Sequence, residues 1–221
     1  MSKFTPRQLS GTPKRVKTGC PLSCVPTAGY YWDMRVLADE AQLESLIQGL
    51  AEAIAQDVAS DAREHRWALV GIRSRGDLLA ERLIERLNRE AFGDRVGTLD
   101  ITLYRDDLSE IGAQPVVRTT DIPFDIDGLH IVLVDDVLMT GRSVRAALQS
   151  LMDMGRPRRV WLSVLVDRGG RELPIAPDHV ALDLSGQELG SGELVEVCLK
   201  PVDGRDAVVL HQTRRTQGAR S

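Results

Sequence analysis

The sequence predicts an α/β fold, with a central, mostly parallel sheet flanked by helices. Two observations carry that prediction. Ile131-Val132-Leu133-Val134 and Val160–Val166 are short apolar runs, the pattern of strands covered on both faces. Strand-like runs also alternate with segments of helical period, which implies parallel pairing and right-handed crossovers.

The elements follow in order. Residues 1–33 set Lys3, Arg7, Lys14, Arg15 and Lys17 against the single acid Asp33, with several Gly and Pro and no hydrophobic period. That composition reads as a disordered basic extension. It is either an arm that touches nucleic acid or an over-long gene start, with Met34 the true initiator. Asp39-Glu40-Ala41-Gln42 has capping-box spacing, and Leu43, Leu46, Ile47, Leu50, Ile54 and Val58 continue at helical period to about Ala62. Trp67–Ile72 is a strand and Arg73-Ser74-Arg75-Gly76 a tight loop. Leu78, Leu79, Leu83, Ile84 and Leu87 mark a second helix, and Gly97–Tyr104 the next strand.

Arg105–Thr120 has no period and reads as a long loop, of the sort that carries function. The Ile131 strand and its helix come next, ended by Gly155 with Pro157 behind it. After Val160–Val166, three short strands are expected at His179–Leu184, Val195–Leu199 and Ala207–Leu210, then a flexible basic tail over 212–221. The expected organisation is thus one domain over 34–211 between two extensions.

Bulk properties exclude several classes. A chain of 221 residues with 43% hydrophobic residues buries one sizeable core. A net charge of −4 argues against a generally basic nucleic-acid binder. Cys20, Cys24 and Cys198 are too few for a disulfide framework, so a cytoplasmic setting is the default. No second pair or nearby histidine completes a zinc site around Cys20 and Cys24. His65, His130, His179 and His211 form no evident cluster and read as surface or strand-edge residues.

The chemistry concentrates in Ile131-Val132-Leu133-Val134-Asp135-Asp136-Val137-Leu138-Met139-Thr140-Gly141-Arg142-Ser143. A buried strand ends on two carboxylates and passes through a small-residue turn into a helix. Ligands of open α/β sheets bind at that carboxyl edge. Backbone N–H groups at the helix start suit a phosphate, and the carboxylates suit ribose hydroxyls. A sugar phosphate is the natural ligand; a receiver-like strand–loop–helix is the plainer reading of the same run.

This run resembles the phosphoribosyl-pyrophosphate (PRPP) signature of the type I phosphoribosyltransferases, whose fold adds a small C-terminal hood to the central sheet. The resemblance implies that Asp135 and Asp136 hold the ribose hydroxyls, that Met139–Ser143 cradle the 5′-phosphate, and that Mg²⁺ enters with PRPP. It further implies that Ser74 and Arg75 bind pyrophosphate. The loop opened by Tyr104-Arg105-Asp106-Asp107 then closes over the substrate, excluding water from the reacting centre. Arg105 neutralises pyrophosphate oxygens, while Asp106 and Asp107 steady the loop or a metal-bound water. Asp167, Arg168 and Gly169 meet the base.

"DITLYRDDLS", "VDDVLMTGRSVRAAL", "GRP" and "VLVDRGGRELPI" together resemble the bifunctional pyrimidine-operon regulators with uracil phosphoribosyltransferase activity. That resemblance implies synthesis of UMP from uracil and PRPP, uridine-nucleotide-responsive binding of pyrimidine-operon leader mRNA, and a homo-oligomer. The first helix weakens the RNA half. Asp39, Glu40, Glu44, Glu52, Asp57 and Asp61 stand there against Arg63 alone, and an acidic face repels phosphates. Where the family carries Gly-Lys-Asn, this chain reads Ala181-Leu182-Asp183. Aromatic residues, 4% of the chain, leave few platforms for stacking bases. Arg156, Arg158, Arg159, Arg168 and Arg171 offer another basic surface, although five arginines in solvent are unremarkable. A nucleotide sensor that uses the PRPP fold only to bind is the alternative.

Overall fold

The computed structural model describes residues 15–16, 30–60, 66–104, 119–190 and 192–215. They form two compact units, one from Glu44 to Gly186 and one that draws on both ends of the chain.

The larger unit is an α/β layer structure. Its sheet contains β3 (Trp67–Ile72), β4 (Val96–Leu99), β5 (His130–Leu138), β6 (Arg159–Asp167) and β7 (His179–Asp183), in the order β4-β3-β5-β6-β7. All four pairings are parallel. Successive side chains of a strand point to opposite faces, and both faces here are covered. Ala68, Val70 and Ile72 pack with Leu99, Ile131, Leu133, Leu162 and Val164 under Val144, Ala146, Ala147 and Leu151 of helix α4 (Arg142–Met154). The alternate residues, Leu69, Val132 and Val134, are fully buried too. On that side lies α2 (Gly76–Ile84), whose first residues press against Gly71.

Helix α1 (Glu40–Ser60) begins with the reciprocal cap its sequence predicts: Asp39 N–H donates to Gln42 Oε1 and Gln42 N–H to Asp39 Oδ1, each at 3.0 Å. Its apolar stripe, Leu43, Leu46, Ile47, Leu50, Ile54 and Val58, is buried. One short helical turn, α3 (Arg89–Phe92), is capped by the Asn88 side chain and links α2 to β4.

The smaller unit is an antiparallel sheet in the order β1-β2-β9-β8 (β1 Arg15–Val16, β2 Tyr30–Ala38, β8 Glu193–Cys198, β9 Ala207–Arg215). Three expectations change here. Met34 lies inside β2, whose pairing with β9 begins at Tyr30. The hood expected from the C-terminus alone therefore takes its second strand from the start of the chain. β9 runs to Arg215, beyond the point where a frayed tail was expected, because Tyr30–Met34 supplies a partner for it. Polar, basic composition carries no record of a partner strand so distant in the chain. Finally, the strand expected over Gly97–Tyr104 stops at Leu99, and Thr102–Tyr104 form a single 3₁₀ turn.

The histidines also differ from expectation. His130, His179 and His211 are buried, and His65 lies outside the described residues. His179 sits between Ser163 Oγ (2.8 Å) and Asp57 Oδ2 (2.9 Å), while His211 meets Glu196 Oε2 at 2.8 Å. His130 stands edge-on to Trp67 with ring centres 4.9 Å apart, and His179 stacks on Trp161 at 5.9 Å. These aromatic contacts line the amino-terminal ends of the strands, leaving the carboxyl ends to polar loops.

Candidate functional site

Strand order sets where a ligand goes. From β3 the chain moves outward to β4, then returns across β3 to add β5, so the direction of winding reverses between β3 and β5. Loops leaving the carboxyl ends of two such strands diverge to opposite faces and open a crevice. The 73–76 turn leaves β3 there, and the Asp135–Ser143 segment leaves β5.

Close packing holds the two loops together. A Cβ on Gly76 would lie 2.6 Å from the carbonyl oxygen of Val134 and 3.3 Å from Asp135 Cα. A Cβ on Gly71 would lie 2.5 Å from both Asp77 Cα and the Gly76 carbonyl oxygen. Both positions therefore require glycine, and the pyrophosphate-type turn is wedged against the acidic pair. Asp77 shapes that turn. One of its carboxylate oxygens accepts from the N–H groups of Arg75 (2.9 Å) and Leu78 (3.0 Å), and the other faces Arg73 Nε at 3.5 Å. Sequence reading missed Asp77, whose carboxylate reaches back to the N–H of Arg75 two residues earlier. The Arg73–Ser74 peptide is cis and Arg75 has φ 83°. Ser74 is exposed and Arg75 half-buried at the mouth.

Asp135 is buried and Asp136 half-buried, with Asp136 N–H donating to Asp135 Oδ1 at 3.0 Å. Loss of hydration pushes Asp135 well above the usual carboxylate range, and the neighbouring Asp136 charge adds to that. Burial raises Asp136 as well, opposed first by the Arg75 guanidinium from the facing loop. Two acids crowded in this way call for a cation and for hydroxyl donors. Among the described residues no group of three or more His, Cys, Asp or Glu forms a metal site. A pair of carboxylates is an all-oxygen donor set of the kind a hard ion prefers.

After Met139 and Thr140 the chain turns at Gly141 (φ 90°), a left-handed conformation that costs glycine nothing, and enters α4. The Thr140 hydroxyl accepts from Arg142 N–H at 3.3 Å. The loop beyond β6 packs directly on this turn. Arg168 N–H donates to the Leu138 carbonyl (2.9 Å), and the N–H groups of Glu172 and Leu173 both donate to the Thr140 carbonyl (3.0 and 3.2 Å). Asp167, Arg168 and Gly169, expected to meet a base, are placed beside the cradle. The Asp167 carboxylate is nonetheless occupied within its own loop, accepting from Gly169 N–H at 2.9 Å and Arg171 Nη2 at 2.6 Å. Arg168 and Arg171 are not solvated arginines: Arg168 is 6% exposed, and the Arg171 guanidinium is bonded on three nitrogens.

Arg105 and Asp106, with Asp107, lie outside the described residues. The two ends of their segment are fixed side by side: Thr98 and Asp121 exchange backbone hydrogen bonds at 2.7 and 2.8 Å, and Asp100 N–H donates to Thr120 Oγ1 at 3.1 Å. Tyr104 is pinned to α4 through Asp153 Oδ2 (2.9 Å) and through Arg145 Nη2 on its carbonyl (3.0 Å). The described residues on either side of that segment are thus held beside β4 and α4.

Comparison with known proteins agrees with this geometry. Residues 37–187 match the phosphoribosyl transferase domain family. The bifunctional protein PyrR of Thermus thermophilus is 49% identical over 179 residues, covering 80% of this chain and 97% of the relative. That of Elusimicrobium minutum is 45% identical over 177 residues, covering 80% and 96%. Among solved structures, the hypoxanthine phosphoribosyltransferase of Trypanosoma cruzi superposes with a TM-score of 0.57 at 18% identity, covering 79% of this chain and 94% of that one. The likeness in fold extends across the family while the likeness in sequence narrows it: the chain belongs to the phosphoribosyltransferases and, among them, to the bifunctional PyrR proteins.

Proposed function

We propose that the protein transfers the ribose 5-phosphate of PRPP to uracil, forming UMP and pyrophosphate. The observation that carries this reading is the meeting of Asp135–Asp136 with the Thr140–Gly141 turn and the Arg75 loop at one switch point. A sugar phosphate with a second phosphoryl group at C1′ needs these three surfaces at this spacing. In this reading Asp135 and Asp136 accept from the ribose 2′ and 3′ hydroxyls, and Met139–Ser143 wrap the 5′-phosphate at the start of α4. Ser74 and Arg75 hold the departing pyrophosphate. Arg105 and Asp106 complete the site from the segment after Tyr104, Arg105 meeting charge as it develops. Asp167–Gly169 shape the base side, where backbone groups suffice to read a uracil edge. Mg²⁺ arrives with PRPP, and when bound it offsets negative charge on the phosphates. No dedicated base is needed if catalysis rests on positioning and charge stabilisation.

The regulatory task follows from the bifunctional relatives: a uridine nucleotide in the same site governs binding to pyrimidine-operon leader mRNA by a cytoplasmic homo-oligomer. α1 does not favour RNA, since it has Glu40, Glu44, Glu52 and Asp57 and no Lys or Arg. Among the described residues no helix is long and apolar enough to cross a membrane. The second reading, a sensor with little turnover, is disfavoured by the intact pyrophosphate-type loop, which a UMP sensor has no use for.

The test supplies PRPP and Mg²⁺ with uracil, orotate, hypoxanthine or no base. Turnover with uracil alone is expected. Turnover with another base overturns the substrate assignment, and saturable UMP binding without turnover establishes the sensor instead.

A further inference from the structure

Arg171 lies behind the crevice, where its one side chain reaches both loops. Nη1 donates to the Met139 carbonyl at 2.8 Å and to the Leu138 carbonyl at 3.3 Å, both on the phosphate-side turn. Nη2 donates to Asp167 Oδ2 at 2.6 Å and Nε to the Ile175 carbonyl at 3.0 Å, both on the base-side loop. The pair is mostly shielded, with the Arg171 side chain 23% exposed and that of Asp167 11%. A planar guanidinium presents its donors in a fixed fork, so acceptors on two loops are held at a set separation. Around it, the backbone bonds from Arg168, Glu172 and Leu173 to Leu138 and Thr140 close the same seam. Ile175 packs where a Cβ on Gly141 would sit, 3.3 Å away. By contrast Arg142 Nε and Glu172 Oε2, at 2.7 Å, are half exposed and add little.

We propose that Arg171 is a positioning residue that locks the phosphate-side turn (Leu138–Gly141) to the base-side loop (Asp167–Ile175), so that the two halves of the site take their working shape together. The proposal rests on the reading that the first loop takes the 5′-phosphate and the second faces the base. Its consequence is specific. Loss of the fork disturbs the binding of both substrates at once, although Arg171 touches neither.

The experiment compares wild type, Arg171→Met and Arg171→Lys. Methionine keeps most of the stem volume but removes the guanidinium donors to the Met139 and Ile175 carbonyls and to Asp167 Oδ2, while Leu138 keeps the Arg168 N–H; lysine restores charge but not the fork. In Arg171→Met the KM for PRPP and the KM for uracil are each expected to rise about tenfold, with partial recovery in Arg171→Lys. A merely structural role lowers the amount of active enzyme, hence the apparent kcat, and leaves both KM values in place. That result, or a rise in only one KM, overturns the proposal. Amide exchange in the ligand-free protein gives a readout independent of the reaction. The Glu172 and Leu173 amides, which donate to Thr140, should exchange about tenfold faster in Arg171→Met while the β5 amides do not change. Unchanged exchange at those two amides overturns the lock even if wild type proves inactive with uracil. Inactivity of wild type alone removes the functional reading but not the lock.

Discussion

Asp135 carries the largest electrostatic cost in the site. Its carboxyl is raised above the usual range chiefly by burial, and a raised carboxyl is one whose charged form the fold disfavours. The unfolded chain ionises first as pH rises, so this residue lowers stability progressively from its ordinary carboxylate pKa up to its raised one, and the loss is complete above that. Asp135→Asn should therefore melt close to wild type near pH 4 and above it at pH 8. A gain of about 3 °C corresponds to ~1 kcal/mol for a chain of this size. Thermal melts at the two pH values check both sign and window. A PRPP-like ligand that needs the ionised pair should in turn bind more tightly as pH rises through the same interval.

Among elements, β5 and its turn into α4 hold most of the site's chemistry. Gly76 and Gly71 hold the facing loop against it without room for a methyl group. Gly71→Ala should destabilise by about 1–3 kcal/mol, since backbone on both sides must move, and should weaken pyrophosphate binding. Urea denaturation together with pyrophosphate titration measures the two effects. The strand, the acids and the turn were legible in sequence because a parallel strand buried on both faces leaves an uninterrupted apolar run. The α1 cap was legible because Asp39 and Gln42 satisfy each other locally. What escaped was set by distant partners. Arg171 looks like any surface arginine until Met139 and Asp167 are brought beside it. His130, His179 and His211 look polar until Trp67, Ser163 and Glu196 enclose them. β2 and β9 pair across almost the whole chain, and no local pattern announces it.

At the scale of the whole molecule, the order β4-β3-β5-β6-β7 makes the crevice and the loops give it chemistry. The fold is shared with a solved structure at 18% identity, so the fold itself does not select the base. In the proposed reading, selection falls to the loop that follows β6, around Asp167–Gly169. Leader RNA affinity is expected to be modest and to fall only shallowly with salt, because α1 contributes no cation to phosphate contacts; filter binding at two salt concentrations checks this. The most direct measurement is UMP formation from PRPP and uracil, with wild type run beside the doubly substituted Asp135→Asn, Asp136→Asn protein. Turnover is predicted in wild type. A variant that stays folded should lose at least about a hundredfold, with ribose contacts and charge balance both gone. Near-normal kinetics in the double variant would contradict the assignment of the acidic pair to the ribose.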